Sequence, residues 1–244
     1  MKIASQYDAE TIEVKKKEGG SPVTEADQKI DDILRNTLPQ EGDGWLSEET
    51  ADDKSRLNCS RVWIVDPIDG TKEFISGIPE WSISIGLIED GQPVAGGIAN
   101  PATGEIVLGS VETGVTYNGE SVAMPHNVPL KGASILASRS EAKRGEWDRF
   151  SATDFEVVPC GSVAYKLGIV AGCRYDATWT LVPKNEWDVA AGAALVIAAG
   201  GLVLLKDGTK PVFNREDPLL PGFCATPHPD TSPEWGPFLD GLLG

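Results

Sequence analysis

The sequence is poor in the residues from which many sites are built. It has two histidines, His126 and His228, and four cysteines, Cys59, Cys160, Cys173 and Cys224, none of them in a C-x-x-C pair. That scarcity argues against a Cys/His zinc centre and against a Ser/His/Asp triad, for which no nucleophile elbow is present either. Basic residues are also few: 21 Lys and Arg stand against 37 Asp and Glu, a net charge of -16. A basic face for a nucleic acid polymer is not expected, because phosphate contacts need Lys and Arg. No apolar run approaches the roughly 20 residues of a membrane span, and no signal peptide is expected from Met1 to Asp8, which has no apolar run. Scattered cysteines in a chain of this length read as reduced thiols in the cytoplasm.

What remains is a globular composition. With 244 residues, 41% of them hydrophobic, the chain can bury a core as one large domain or two small ones. The surplus acid is either solubilising surface or gathered around divalent cations, which would invert the local sign and admit an anionic substrate.

The chain divides into two patterns. Lys15 to Gly20 reads as a charged loop. Thr24-Glu25-Ala26-Asp27 has the spacing of a helix start, followed by Ile30, Ile33, Leu34 and Leu38 at helical intervals, with Pro39 as the stop. Gly42-Asp43-Gly44 is a turn leading to Glu48-Glu49. Val62 to Val65 is a buried strand and residues 72–76 a short helix. Strands around 81–87, 94–99, 106–111 and 114–117 form an antiparallel meander, with Asn118-Gly119 as a hairpin turn. Pro125 and Pro129 mark a linker. Beyond it strands (134–138, 155–158, 177–181, 202–205) alternate with helices (142–151, 162–171, 187–199), an α/β pattern closed by Gly200-Gly201. The expected division is an α+β half over 1–128 and an α/β half over 129–244, with a cleft between.

The most informative string is Trp63-Ile64-Val65-Asp66-Pro67-Ile68-Asp69-Gly70-Thr71. Two carboxylates three residues apart leave a buried strand, and Pro67 fixes its own φ and biases Asp66 toward extended geometry. A turn of this kind can aim both carboxylates and a backbone carbonyl at a hard cation. Gly70-Thr71 then opens a helix whose free N–H groups suit a phosphate. Taken singly, each piece has a plainer reading: a turn with two capping aspartates, a wet Glu48-Glu49 pair, an Asp188 that starts its helix.

Together, Ser47-Glu48-Glu49, the Asp66 string and Trp187-Asp188-Val189-Ala190-Ala191-Gly192 resemble the inositol monophosphatase superfamily of metal-dependent, lithium-sensitive phosphatases, over about residues 17–225. The resemblance implies a layered αβαβα sandwich of the sugar-phosphatase type. It implies two or three Mg²⁺, with Mn²⁺ as a substitute, on Glu48, Asp66, Asp69, Asp188 and the carbonyl of Ile68. Gly70 and Thr71 would bind phosphate, Thr71 and Glu48 would orient the attacking water, and Asp27 would help to activate it. Lys17 matches a lysine loop that closes over the metals. A homodimer is the family's habit. Family members have a longer helical stretch before the lysine loop, so the first helix here is expected to be short or missing.

The resemblance implies a small phosphate ester as substrate. Asp69-Gly70-Thr71-Lys72-Glu73-Phe74 and the Lys17 to Thr24 loop are similar to the branch that hydrolyses 3′(2′),5′-bisphosphate nucleotides. Inositol-cleaving members carry an acid where this chain has Thr178-Trp179-Thr180-Leu181. Candidate contacts for a second phosphate are Gly161, Ser162 and Lys166 at a helix start, and Ser138-Arg139 after a strand. Each has a plainer alternative: a Ser-capped core helix, an exposed Arg. Trp179 reads as a core aromatic in preference to an adenine platform. The competing expectations are an inositol or sugar monophosphatase on the same scaffold, and a metal-binding regulatory protein without turnover.

Overall fold

The computed structural model describes residues 14–16 and 22–243, with side chains from Thr24 onward. Lys17 lies outside the described residues, as does the stretch before Val14. The charged run read as a loop begins instead as a strand: β1 (Val14–Lys16) pairs antiparallel with β2 (Pro22–Thr24).

Helix α1 (Glu25–Thr37) starts where the sequence places it. The Thr24 and Asp27 side chains exchange hydrogen bonds with each other's backbone N–H across the first turn, a reciprocal cap. Its apolar stripe, Ala26 and Ile30, packs on the outer face of a seven-stranded sheet.

That sheet runs β3 (Gly44–Ser47), β4 (Arg61–Asp69), β5 (Ser82–Glu89), β6 (Gln92–Asn100), β7 (Glu105–Ser110), β8 (Gly114–Tyr117) and β9 (Glu120–Val122), in chain order. All its pairings are antiparallel except β3 with β4, which is parallel. Strands β3 and β9 were not foreseen, being short and dependent on their neighbours. Asp43, just before β3, accepts from Arg61 Nε at 2.7 Å, from Trp63 Nε1 at 3.0 Å and from the Gln40 N–H at 2.9 Å. The Arg61 guanidinium holds its carboxyl down to about 2, against the opposing effect of burial. A folded value below the unfolded one means stability that is present above about pH 4 and lost as pH falls toward 2. Asp43→Asn should therefore cost about 1–2 kcal/mol at pH 7, discounted because Arg61 is partly exposed. The gap in melting temperature from the parent should close between pH 5 and pH 2, which calorimetry across that range would measure.

The second half builds a five-stranded sheet in the order β11-β10-β12-β16-β14, from β10 (Ser134–Ser138), β11 (Glu156–Cys160), β12 (Ala177–Thr180), β14 (Gly201–Leu205) and β16 (Phe223–Pro227). Pairings β10–β11 and β10–β12 are parallel, and β16 runs antiparallel to both its neighbours, so the sheet is mixed. A two-stranded ribbon, β13 (Lys184–Asn185) with β15 (Leu219–Leu220), stands apart. The expected helix over 142–151 is replaced by α3 (Arg139–Lys143) and a 3-10 turn at Asp148–Phe150, because Gly145 adopts φ 78° and breaks the run.

Helices α4 (Val163–Ala171) and α5 (Glu186–Ala198) lie between the two sheets. They are apolar nearly all round, as buried central helices must be. Helix α5 packs so closely on the first sheet that a Cβ at Gly96 would lie 2.4 Å from the Ala191 carbonyl oxygen. On the far face of the second sheet, α6 (Trp235–Leu243) covers an aromatic cluster of Trp147, Phe155, Trp179 and Phe238. The layers are thus α, β, α, β, α, the expected sandwich. No described helix is long and apolar enough to cross a membrane.

Candidate metal and phosphate site

The site forms where β3, β4 and α5 converge. Because β3 and β4 are parallel, with Ser47 opposite Val65, Glu48 leaves its strand beside Asp66. The β4–β5 register slips between Asp66 and Asp69, so Asp66-Pro67-Ile68-Asp69 bulges within the strand, which runs on to Asp69 where the sequence suggested a turn. Pro67 has no N–H to lose there. The Ile68 N–H donates to Asp66 Oδ1 at 3.0 Å, and the Thr71 hydroxyl donates to the Ile68 carbonyl at 3.1 Å. Gly70 adopts φ 94°, and a Cβ on it would lie 3.0 Å from the Glu80 carbonyl oxygen, so glycine is required at the entry to α2 (Thr71–Ile75).

Asp188 lies in the first turn of α5, where it accepts from the Asn185 N–H at 3.1 Å. That turn is fixed on two sides. Ser84 of β5 donates to the Trp187 carbonyl at 3.3 Å, and buried Glu186 accepts the N–H groups of Asn214 and Arg215 at 2.8 and 3.0 Å.

Carboxylate oxygens of Glu48, Asp66 and Asp188 all lie within 4.8 Å of one another. Asp69 stands beside them with one oxygen engaged: Asp69 Oδ2 accepts from Ser162 Oγ at 2.6 Å and from the Ala164 N–H at 2.5 Å. Burial, then the charges of Glu48, Asp69 and Asp188, push the Asp66 carboxyl well above the carboxylate range. Asp188 is pushed up by burial, then by Asp69 and Glu48. Acids drawn together against this cost fit divalent cations, whose hard charge oxygen ligands satisfy. Glu48, Asp66, Asp188 and Asp69 would hold them.

A cleft of about 340 Å³ opens over this cluster, lined by Glu48, Ile68, Asp69, Gly70, Thr71, Lys72, Glu73, Val163, Lys184, Asn185, Trp187 and Asp188. A second cleft of about 170 Å³ shares Asp69, Gly70, Lys72, Glu73, Val163 and Lys184 with it and extends to Ser138, Arg139, Gly161, Ser162 and Lys166. A larger hollow of about 420 Å³ shares only Cys160 with the second cleft and includes none of the clustered acids. Chemistry, not volume, therefore locates the site.

The substrate-side residues are held by partners the sequence did not reveal. Arg139 is bound to Glu80 through the Nε/Nη2 edge of its guanidinium, and the same Glu80 carboxylate accepts the Gly161 N–H at 2.6 Å. Ser138 caps α3. Ser162 caps α4 in a left-handed conformation, φ 53°, its hydroxyl accepting from the Tyr165 N–H at 2.9 Å. Lys166 is buried beneath this loop, its ammonium donating to the Ser162 carbonyl at 2.5 Å and lying 3.5 Å from those of Cys160 and Gly161. Asp27 lies in the cap of α1, outside the three-acid cluster, and Trp179 is a core aromatic. Glu80, Glu141 and Lys184 were missed. The signal for Lys184 was a cation four residues before Asp188 in an acidic chain.

Comparison with known proteins agrees with this geometry. The family model for the Inositol monophosphatase family matches residues 1–231. An inositol-1-monophosphatase of Mesorhizobium japonicum is 33% identical over 85% of this chain and 81% of its own length. A 3′-phosphoadenosine 5′-phosphate phosphatase of Mycobacterium bovis is 34% identical over 80% of this chain and 73% of its own. Among solved structures, the extragenic suppressor protein suhB of Bartonella henselae superposes with a TM-score of 0.79 at 26% identity, covering 99% of this chain and 92% of that one.

Proposed function

Because the chain belongs to the inositol monophosphatase family, whose members are metal-dependent phosphatases, we propose that it removes the 3′-phosphate of adenosine 3′,5′-bisphosphate in a Mg²⁺-dependent hydrolysis, giving AMP and phosphate. The observation that carries this reading is the junction of the two clefts at Asp69-Gly70, with clustered acids on one side and a second polar cleft on the other. Divalent cations bound to the acids would screen the phosphate's charge and lower the pKa of a water.

The chain's own groups do the rest. Glu48 and the Thr71 hydroxyl would orient that water, and the Gly70 and Thr71 amides would hold the phosphate. Asp27 would assist from α1, Ile68 would add its carbonyl to the ligand set, and Lys17 would close over the site. Residues 1–128 would thus supply most of the ligands, and residues 129–244 the substrate side together with Asp188. On that side Ser138, Arg139, Gly161, Ser162 and Lys166 frame the leaving nucleotide. Arg139 would have to give up Glu80 to hold a phosphate through its Nε/Nη2 edge, and Lys166 acts from beneath the loop. The absence of an acid over Thr178–Leu181, with Trp179 committed to the core, favours a nucleotide over a polyol.

A second reading, inositol 1-phosphate as substrate, is favoured by the Mesorhizobium relative's similar identity, 33% against 34%. Phosphate release from the two esters, with and without Mg²⁺, separates them. We expect cation-dependent turnover at least about tenfold higher in kcat/KM for the nucleotide, and inhibition by lithium. Preference for inositol 1-phosphate would reverse the assignment.

A further inference from the structure

Four cationic side chains line the two clefts among the described residues: Lys72, Arg139, Lys166 and Lys184. Arg139 is committed to Glu80 and Lys166 to backbone carbonyls. Lys72 is exposed on the first turn of α2. Lys184 is different. Its backbone is pinned in the β13–β15 ribbon, and its side chain, 21% exposed, reaches both clefts with its ammonium 3.7 Å from Glu141 Oε1. Glu141 is itself buried and fixed, accepting from the Thr180 hydroxyl at 2.5 Å and from Trp147 Nε1 at 3.4 Å. At 3.7 Å the pair is an ionic contact beyond hydrogen-bond reach, so it sets the position of the charge without saturating its donors.

We propose that Lys184, anchored by Glu141, receives a second anionic group of the substrate and sets a preference for phosphate esters that carry two anionic groups. This rests on the phosphomonoesterase reading of the site. The physical need is plain. Cations held by Glu48, Asp66, Asp69 and Asp188 answer the charge of the scissile phosphate, but a further anion on the leaving group meets a protein of net charge -16. A fixed ammonium at the junction of the clefts offsets that repulsion where the leaving group must lie. It lies along the cleft from Asp188, so it can serve an anion on the same molecule.

The test compares two matched pairs of substrates with Mg²⁺: adenosine 3′,5′-bisphosphate against adenosine 3′-monophosphate, and fructose 1,6-bisphosphate against fructose 1-phosphate. Parent, Lys184→Gln, Lys184→Arg and Lys72→Gln are measured. We expect Lys184→Gln to raise KM for the preferred two-anion ester by about tenfold or more, with kcat and the one-anion ester changed less than about threefold. Lys184→Arg should keep the preference, and Lys72→Gln should alter it little. Equal losses on both members of a pair would mean that Lys184 serves the scissile phosphate or only the fold, and would overturn the proposal. So would an unchanged preference, a preference lost through Lys72 instead, or a parent enzyme indifferent to the second anion in both pairs. A preference confined to the sugar pair and lost in Lys184→Gln would uphold Lys184 while rejecting the nucleotide. A nucleotide preference that survives Lys184→Gln would do the reverse.

Discussion

Asp66→Asn should lower cation-dependent phosphate release by at least about a thousandfold, some 4 kcal/mol of transition-state stabilisation, while making the cation-free protein more resistant to heat. Both effects follow from the same geometry. The Asp66 carboxylate lies buried among Glu48, Asp69 and Asp188, and its folded pKa is raised well above the unfolded value. For a raised acid the folded state binds the proton more tightly. Stability without a cation therefore falls as pH climbs from about 4 toward the folded value. Asparagine keeps the shape and an oxygen for the Ile68 N–H while removing one charge from the cluster. The parent should gain several degrees in melting temperature on adding Mg²⁺, since a ligand that binds only the folded state stabilises it, and the variant should gain much less. Melting scans with and without EDTA, run beside the phosphate assay, measure all three quantities. An Asp66→Asn enzyme that retains turnover, or one that melts earlier than the parent in EDTA, would be incompatible with a cation cluster at Asp66.

How far the sequence alone reaches can be read from particular elements. Thr24 and Asp27 announced α1 because a reciprocal cap is local: four residues carry the whole signal. The alternation from Trp81 to Leu87 and the Asn118-Gly119 turn announced the meander, and Gly200, at φ 93°, announced the end of α5. The acids of the site were legible through three strings taken together, around Glu48, Asp66 and Asp188; each alone had a plainer reading, and the bulge at Asp66–Asp69 was read as a turn. What was illegible is non-local. Nothing near Arg139 shows that Glu80, 59 residues away, takes its guanidinium. Nothing near Asp69 shows that Ser162 and Ala164 hold its carboxylate. Strand β3 has four residues and exists through its pairing with β4, while β16 and α6 are fixed by the second core more than by their own pattern. Nothing near Asp31 shows that it is buried and takes the hydroxyls of Ser47 and Thr50 on either side of Glu48. The clustered acids could therefore be singled out from the sequence, and the residues that hold them in place could not.

Gly192→Ala should lower stability by about 3 kcal/mol, although alanine is the better helix former by about 1 kcal/mol. Gly192 lies one turn after Asp188 in the interior of α5, facing α4. A Cβ there would lie 2.2 Å from Leu167 Cβ, 2.6 Å from its Cδ1 and 2.9 Å from its Cγ, and both residues belong to the buried interior between the sheets. The nearest of these atoms is the first carbon of the side chain, which no rotamer change can move, so the two helices must separate. In a close-packed interior that displacement is felt along both. For a chain of this length the loss corresponds to a fall in melting temperature of about 6–12 °C. The displacement would reach function, because α5 carries Asp188 and α4 carries the Ala164 amide that holds Asp69. The Mg²⁺ concentration for half-maximal activity should therefore rise severalfold in Gly192→Ala. Leu167→Ala alone should cost about 2–5 kcal/mol through its cavity, but the double variant should be less destabilised than the sum, since each change relieves the other. Strict additivity in that cycle, or a Gly192→Ala protein as stable as the parent, would show that α4 and α5 do not meet at this point and that the elements holding Asp69 and Asp188 are positioned independently.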